Sequence, residues 1–324
     1  MPVEQLLRLT EAAWRAPART DYWSEREVRA MGSRAHVIVG DAPAGAIEWA
    51  VDELERLEAC WSRFRADSEL SNLNRRPESW TDVSREMLLA LSCAADLHRG
   101  TRGRFDPTIL AALEAAGYDR TFEAVAADGD DDVDDRVRAA IGSTPRFEAI
   151  EIDAEASRVR LPHGTRIDLG GVGKGLAADL VARGLVDRGA RSALVGMGGD
   201  IRARGEPPTG GWPVPVLDPF DESRILFTFP LTDGALVSST TRLRSWTRGG
   251  RRYHHLIDPV SGDAARAGIT ATVVAARDAW WAEGIAKAMI IAGVGDARRI
   301  ARDSGVRAWI FLDDAQVISP ENMA

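Results

Sequence analysis

The sequence has 324 residues, 45% of them hydrophobic, which is enough for one large domain or two ordinary ones with a substantial core. Its formal net charge of −8 argues against nucleic acid as the main partner, because phosphate binding requires a basic surface. Cys60 and Cys93 have no metal-binding spacing, which favours two reduced core thiols. No stretch reaches the ~20 apolar residues of a membrane span and no signal-peptide-like run is present, so the sequence predicts a cytoplasmic protein.

The first half of the chain predicts a lead-in, a strand and two helices. Residues 1–27 are polar and rich in Ala and Arg, and a strand-like alternation follows from Val28 to Val39. Apolar residues then recur at helical spacing after Asp41, which is the expected helix cap. A second helix is predicted from Ser84 to Leu97, and the acidic run Asp128–Asp135 predicts a solvated loop.

The second half predicts strands and helices that alternate around glycines. The expected elements are a hairpin over 150–162, a strand at Arg166–Leu169, a helix from Lys174 to Arg188, a strand at Ala193–Val195, and a last apolar helix from Ala279 to Ile291 that Asp278 caps and Gly293 ends. No repeat or clear linker divides these elements. The sequence therefore predicts one α+β domain over residues 28–324, with or without a division into two lobes.

The strongest local motif is Asp168–Gly175 (DLGGVGKG), which predicts a strand end, a glycine turn and a helix with Lys174 in its first turn. Glycines let the backbone approach a ligand closely, and a helix N-terminus offers N–H groups and a positive dipole to an anion. The lysine would add a charge that suits a diphosphate, although a tight turn with a surface lysine has the same pattern. Gly175 and Leu176 stand where a Walker A loop needs a hydroxyl and a dinucleotide fingerprint needs glycine, so both of those motifs are excluded.

Five further motifs accompany this loop along the chain. They are Met31–Ser33 (MGS), Ser62–Asn74 (SRFRADSELSNLN), Gly103–Thr108 (GRFDPT), Leu194–Ile201 (LVGMGGDI) and His255–Gly262 (HLIDPVSG). With the glycine loop, this ordered set resembles the motifs of the ApbE-type flavin transferases, enzymes that bind FAD and pass its FMN half to a hydroxyl of a partner protein. The resemblance covers about residues 31–293, which is most of the chain.

The resemblance implies an ApbE-like (T-fold-like) α+β fold, in which helices pack on antiparallel sheets and one FAD lies between the motifs. The residues that would contact the flavin nucleotide are Met31, Phe64, Arg104, Phe105, Asp106, Asp168, Gly171, Gly173, Lys174 and Ile257. Apolar and aromatic side chains in this set would offer surface to the rings, and the aspartates would accept hydrogen bonds. Taken singly, each apolar residue is more readily explained as ordinary core.

His255 is the predicted general base, because a target hydroxyl must lose its proton as it attacks phosphorus, and a neutral imidazole suits that task near pH 7. Asp258-Pro259 turns the chain just after it, which would place the histidine at the mouth of a loop. A histidine that is hydrogen-bonded within the turn is the structural alternative. His254 would point the other way if this stretch is extended.

The family resemblance also implies a magnesium site, and this sequence departs from its pattern. Gly171 or Gly173 would supply one ligand from the loop, but the two helix positions that carry an Asp and a Thr in the family are Glu283 and Lys287 here. Glu283 could still bind a metal, whereas an ammonium cannot. The pair is either an exposed i,i+4 ion pair or a site-facing pair in which the Lys287 ammonium stands in for Mg²⁺.

The resulting hypothesis is an FAD:protein FMN transferase that acts on a Ser or Thr of an acceptor flavoprotein and releases AMP. Lys174 would hold the diphosphate and His255 would activate the hydroxyl, without any nucleic acid or membrane span. Two other functions remain open at this point. One is a protein that binds FAD or FMN without transfer, and the other is a pyrophosphatase that splits FAD into FMN and AMP.

Overall fold

An eight-stranded antiparallel sheet forms the centre of the computed structural model, which describes residues 23–125, 133–144, 146–265 and 268–323. The strands are β1 Trp23–Ala30, β2 Ser33–Gly40, β3 Thr81–Asp82, β4 Glu151–Asp153, β5 Arg158–Arg160, β6 Ser192–Met197, β7 Asp200–Gly205, β8 Trp212–Leu217, β9 Ile225–Leu231, β10 Gly234–Thr240, β11 Ser245–Arg248, β12 Arg251–His254, β13 Ile269–Ala276, β14 Arg307–Leu312 and β15 Val317–Ile318. The main sheet has the order β1-β2-β6-β7-β10-β13-β14-β15, and three small sheets contain β3-β5-β4, β8-β9 and β11-β12.

Helices cover one face of this sheet. They are α1 Ala46–Trp61, α2 Glu69–Asn74, α3 Arg85–Gly100, α4 Leu110–Ala115, α5 Asp134–Ser143, α6 Gly173–Asp187 and α7 Ala279–Asp303, with 3-10 turns at Pro107–Ile109, Phe122–Ala124, Phe147–Ala149 and Pro320–Asn322. Helices α6 and α7 pack side by side on the sheet, and α1 and α3 pack outside them. The predicted combination of antiparallel sheet and packed helices is confirmed.

The middle of the main sheet is covered on both faces, which explains why strand β6 is apolar along most of its length. The helix layer covers one face, and the β8–β9 hairpin covers the other with Trp212, Val214 and Val216. A strand buried on both sides needs apolar residues at nearly every position. In β6, every residue except Gly196 is buried.

A smaller apolar cluster lies beside the main core and joins α4 and α5 to the β11–β12 hairpin. Leu113, Tyr118 and Trp246 are buried in it, and Ile257 is buried there completely. The Trp246 Nε1–H donates to the backbone carbonyl of Ala116 at 2.7 Å, which ties the hairpin to the end of α4. This cluster fixes the segment that carries His255.

The alternation predicted as one strand from Val28 to Val39 is a two-stranded hairpin. It turns at Met31 and Gly32, which both have positive φ (51° and 64°), as a two-residue hairpin turn requires. The period-2 pattern was correct. The two-residue turn does not interrupt the alternation, so the sequence shows no break between the two strands. Strand β1 begins at Trp23, inside the predicted lead-in, and residues 1–22 lie outside the described residues.

Two helix caps differ from the sequence prediction. Helix α1 begins after Gly45 rather than at Asp41, which itself has a positive φ of 46°. Helix α7 does follow Asp278, but the carboxylate that accepts its first N–H groups belongs to Asp179 on α6, with distances of 3.0 Å from Ala279 N and 2.9 Å from Trp280 N. A cap supplied by a distant helix leaves no signal in the local sequence.

Three further differences concern residues 166–169, the end of helix α7 and the acidic run. Residues 166–169 do not form a strand, because Asn74 pairs with both backbone groups of Ile167 at 2.8 Å and takes the place of a neighbouring strand. Helix α7 continues to Asp303 with a break at Gly293 (φ 77°, ψ 173°), where the sequence predicts its end. Of the predicted acidic loop, residues 128–132 lie outside the described residues, and Asp134 and Asp135 begin α5.

Across the described ranges, the helices all lack the combination of length and apolar content that is needed to cross a membrane.

Candidate functional site

One cavity in the described part of the chain gathers nearly every residue that the motifs single out. Its lining includes Met31, Phe64, Arg104, Phe105, Asp106, Asp168, Gly171, Gly173, Lys174, His255, Ile257 and Lys287. Glu283 does not line the cavity and lies directly behind the two lysines. Six separate segments of the sequence, five of them from the motifs, therefore meet at one cavity.

The glycine loop passes beside the side chains of Phe105 and Lys287 and leads into the N-terminus of α6. A Cβ on Gly171 would lie 2.7 Å from the Phe105 ring and 3.6 Å from the Lys287 side chain, so only glycine fits at this position. A Cβ on Gly175 would lie 2.5 Å from the carbonyl oxygen of Ala279, which lets α6 and α7 approach closely. The loop thus brings backbone and Lys287 together at the cavity floor.

Aromatic rings and an arginine form one wall of the cavity. The Arg63 guanidinium lies 4.1 Å from the centre of the Phe64 ring and 4.6 Å from that of Tyr118, and its Nε lies 3.1 Å from Asp168 Oδ2. The two rings are 5.8 Å apart, and Phe64 is 40% exposed. A large aromatic side chain left open at a cavity mouth offers a flat surface for a ring system.

The GRFDPT segment mainly organises the backbone. Asp106 is 5% exposed and accepts hydrogen bonds from Thr108 N at 2.9 Å and Thr108 Oγ1 at 2.7 Å, which starts the following 3-10 turn. Arg104 donates to both carboxylate oxygens of Asp258 at 3.0 and 3.2 Å. Arg104 therefore ties this segment to the turn that follows His255.

Two lysines and two buried carboxylates form a cluster at the floor of the cavity. The Lys174 ammonium donates to Asp200 Oδ2 at 2.6 Å and to Glu283 Oε1, and the Lys287 ammonium donates to the same Oε1 at 2.8 Å. The Gly175 N–H donates to Glu283 Oε2 at 2.8 Å. The Glu283 side chain is fully buried and the Lys287 side chain is only 12% exposed, so the pair is site-facing and not an exposed ion pair.

The pKa values within the cluster follow from burial and charge. Burial alone would raise the pKa of Glu283, but Lys174 and Lys287 lower it to about 2. Burial lowers the pKa of Lys287, whereas Asp200 and Glu283 outweigh burial and raise that of Lys174. Lys174 is thus the more firmly charged of the two lysines, because it has two carboxylate partners.

His255 lies at the cavity with its Nδ1 buried and without a hydrogen-bond partner among the described residues. Burial first, and then the nearby charges of Arg244 and Lys287, hold its pKa well below the ordinary 6.5, so the imidazole is neutral at pH 7. His254 is different, because it is 5% exposed, its Nε2 lies 2.9 Å from Ala265 O, and its Nδ1 accepts from Leu256 N at 3.2 Å. Of these two histidines, only His255 is available to a substrate.

The structure adds cavity residues that the sequence prediction missed. Arg63, Tyr118 and Arg244 line the cavity, and none of them belongs to a motif position that was singled out. Arg244 donates to Gly32 O and Ser33 Oγ at 3.2 Å, which joins it to the first hairpin. The nearby Arg242 is not part of the lining, and its guanidinium carbon lies 5.7 Å from the centre of the Phe220 ring.

The cavity brings aromatic surface, two ammonium groups and a neutral histidine together on a helix-covered antiparallel sheet. The sequence model of the ApbE family matches residues 31–310, which is well over half of the chain. The chain belongs to the ApbE family.

Curated proteins similar to this chain carry one activity in their names. The chain is 29% identical over 282 residues to the FAD:protein FMN transferase of Rhodobacter capsulatus, and 28% identical over 319 residues to that of Treponema pallidum. These matches cover 85% and 88% of this chain. The chain spans about half (49%) of the length of the first relative and 85% of the second.

Two solved structures share the fold. The ApbE protein of Thermotoga maritima matches with a TM-score of 0.82 and 25% identity, over 92% of this chain and 97% of its own. The flavin transferase ApbE of Vibrio cholerae matches with a TM-score of 0.79 and 21% identity, over 94% of this chain and 98% of its own. The helix-covered antiparallel sheet is therefore the architecture of this family.

Proposed function

We propose that this protein is an FAD:protein FMN transferase, which moves FMN from FAD to a Ser or Thr hydroxyl of an acceptor flavoprotein and releases AMP. The observation that carries the proposal is the convergence of a neutral His255 and the glycine loop on one aromatic-walled cavity. The family membership and the names of the curated relatives support the same activity.

FAD is the substrate that suits this cavity. Phe64 and Tyr118 offer ring surface for the isoalloxazine or the adenine, and Met31 and Ile257 add apolar contact. The diphosphate would lie against the glycine loop, where Lys174 and Lys287 supply positive charge. The ligand would thus present its diphosphate to the side of the cavity that His255 also lines.

The chemistry is a phosphoryl substitution. The acceptor hydroxyl oxygen bonds to the FMN-side phosphorus, the bond from that phosphorus to the AMP oxygen breaks, and AMP leaves with the bonding electron pair. His255 takes the hydroxyl proton, which its neutral state at pH 7 permits. The two lysines offset the negative charge that develops on the transferred phosphoryl group and on AMP.

The test separates transfer from its two alternatives. Purified protein is mixed with FAD, with and without a candidate acceptor flavoprotein, and AMP release is followed by chromatography. Transfer requires AMP release that depends on the acceptor and on its target hydroxyl. Release of equal AMP without acceptor would identify a pyrophosphatase, and flavin binding without any AMP would identify a binding protein.

A further inference from the structure

Lys174 and Lys287 are the only two lysines in the 324-residue sequence. All the remaining residues among its 41 lysines and arginines are arginines. They are 113 positions apart in the chain, yet both donate to the same atom, Glu283 Oε1. A chain that uses arginine almost everywhere therefore places both of its ammonium groups at the floor of one cavity. This concentration indicates a role that a guanidinium does not fill.

The residues at this floor do not fit the magnesium that the family resemblance implies. Mg²⁺ requires oxygen ligands with free lone pairs in near-octahedral geometry. Both oxygens of Glu283 already accept N–H bonds, from the two lysines and from Gly175, and Asp200 Oδ2 accepts from Lys174. Within the described ranges, no group of three or more His, Cys, Asp or Glu side chains is placed to hold a metal.

We propose that the Lys287 ammonium replaces the divalent cation at the FAD diphosphate, while Lys174 serves mainly to hold Asp200 and Glu283. This inference rests on the proposed function, since it assumes that FAD occupies the cavity. Lys174 donates to two carboxylates, whereas Lys287 has one hydrogen-bond partner among the described residues. An ammonium has three N–H donors, so Lys287 keeps two for a ligand.

The charge balance supports this division of roles. The two lysines neutralise the two carboxylates, so the cluster has no net negative charge with which to attract Mg²⁺. FAD brings a negatively charged diphosphate instead, which the cation at the cavity surface attracts. Lys287 also passes beside the loop, since its Cδ lies 3.6 Å from where a Gly171 Cβ would be.

Size explains the choice of lysine. An ammonium is a compact point charge that can share one carboxylate oxygen with another ammonium, whereas a planar guanidinium needs a wider fork of acceptors. Lys287 lies beside the loop glycine and shares Glu283 Oε1 with Lys174, while Glu283 Oε2 accepts from Gly175 N, so a guanidinium would not find a free pair of carboxylate oxygens there. Lys287→Arg should therefore keep the charge and still weaken FAD binding.

The first experiment measures binding of FAD and of riboflavin by fluorescence, in EDTA and then in excess Mg²⁺. Wild-type protein should bind FAD equally well in both conditions. Lys287→Met should lose about 10- to 100-fold in FAD affinity, the usual cost of a charge-assisted hydrogen bond, with no comparable loss for riboflavin. Arg242→Met is the matched control, because it removes an exposed positive charge outside the cavity lining and should change neither affinity.

Folding of the variant is not at risk from an orphaned charge, because Glu283 keeps Lys174 and the Gly175 N–H as donors. A second variant, Lys287→Thr with Glu283→Asp, exchanges the ammonium for a hydroxyl and shortens the carboxylate. It should acquire Mg²⁺-dependent FAD binding. Loss of wild-type FAD binding in EDTA and its recovery in Mg²⁺ would overturn the inference but leave the proposed function intact, whereas no FAD binding in either condition would overturn the proposed function.

A labelling experiment gives a readout that does not depend on activity. Reductive methylation modifies lysines and the N-terminus, so peptide mass spectrometry resolves both lysines of this chain separately. FAD should protect Lys287 strongly in EDTA, while riboflavin, which lacks the diphosphate, should not. Equal labelling of Lys287 with and without FAD would place the ammonium away from the diphosphate and refute the inference.

Discussion

Replacement of each of the two adjacent histidines by alanine should produce opposite defects. The His255 Nδ1 has no hydrogen-bond partner within the described ranges, so His255→Ala breaks no hydrogen bond to that atom and should change stability little. His254 connects Leu256 N and Ala265 O, and His254→Ala leaves both backbone groups buried and unpaired. One variant should be stable and inactive, and the other should be active but less stable.

The expected magnitudes follow from these contacts. Removal of a general base costs about 10²–10⁴ in rate, or about 2.7–5.4 kcal/mol in activation free energy, which is the effect expected for His255→Ala. Each orphaned buried group costs about 1–3 kcal/mol of the free energy of unfolding, which applies twice to His254→Ala. FAD affinity should stay within a few-fold of wild type for the His255 variant.

The assay combines urea unfolding, FAD titration and single-turnover transfer to an acceptor, with rates corrected for the folded fraction. The wild-type rate should stay flat from about pH 6.5 upward, because a lowered His255 pKa keeps the base neutral there, and should fall only well below that pH. Transfer by His255→Ala at the wild-type rate, or a larger rate loss in His254→Ala, would refute the assignment of the base.

Three other substitutions test separate parts of the account. Gly175→Ala should destabilise the protein by about 3 kcal/mol or more in urea unfolding, because its Cβ would lie 2.5 Å from the rigid carbonyl of Ala279. Asp179→Ala should cost about 3 kcal/mol, since it removes the α7 cap and leaves the buried Arg202 with fewer acceptors. Phe64→Ala should change stability by less than about 1 kcal/mol but weaken FAD and riboflavin binding equally, since the ring is 40% exposed at the cavity.

Elements with a strong local pattern were predictable from the sequence. The period-3.6 apolar positions of α3 and α6 and the alternating hairpin β4–β5 match the structure closely. The caps were less predictable, because Asp179 reaches across from α6 to the start of α7. The strand predicted around Ile167 was wrong. The backbone hydrogen bonds of Ile167 go to the side chain of Asn74, which belongs to a helix far away in the sequence.

The candidate site was predictable in membership but not in its connections. The ordered motifs supply the cavity residues, and of the two arrangements that the sequence left open for Glu283 and Lys287, the structure shows the site-facing one. Sequence spacing gave no sign that Lys174 would be committed to Asp200 and Glu283, which meet only after β7, α6 and α7 pack together. Arg63 was missed for a similar reason, because it packs against the rings of Phe64 and Tyr118, and Tyr118 is far from it in the sequence.

The most direct test of the proposed transfer is intact-protein and peptide mass spectrometry of a candidate acceptor flavoprotein after co-expression. With the wild-type protein, one Ser or Thr of the acceptor should carry the added mass of FMN in phosphoester linkage. With His255→Ala, the same acceptor should remain unmodified although the variant is folded and binds FAD. An acceptor that stays unmodified with the folded, FAD-bound wild-type protein, across a set of acceptors that a known family member does modify, would contradict the account.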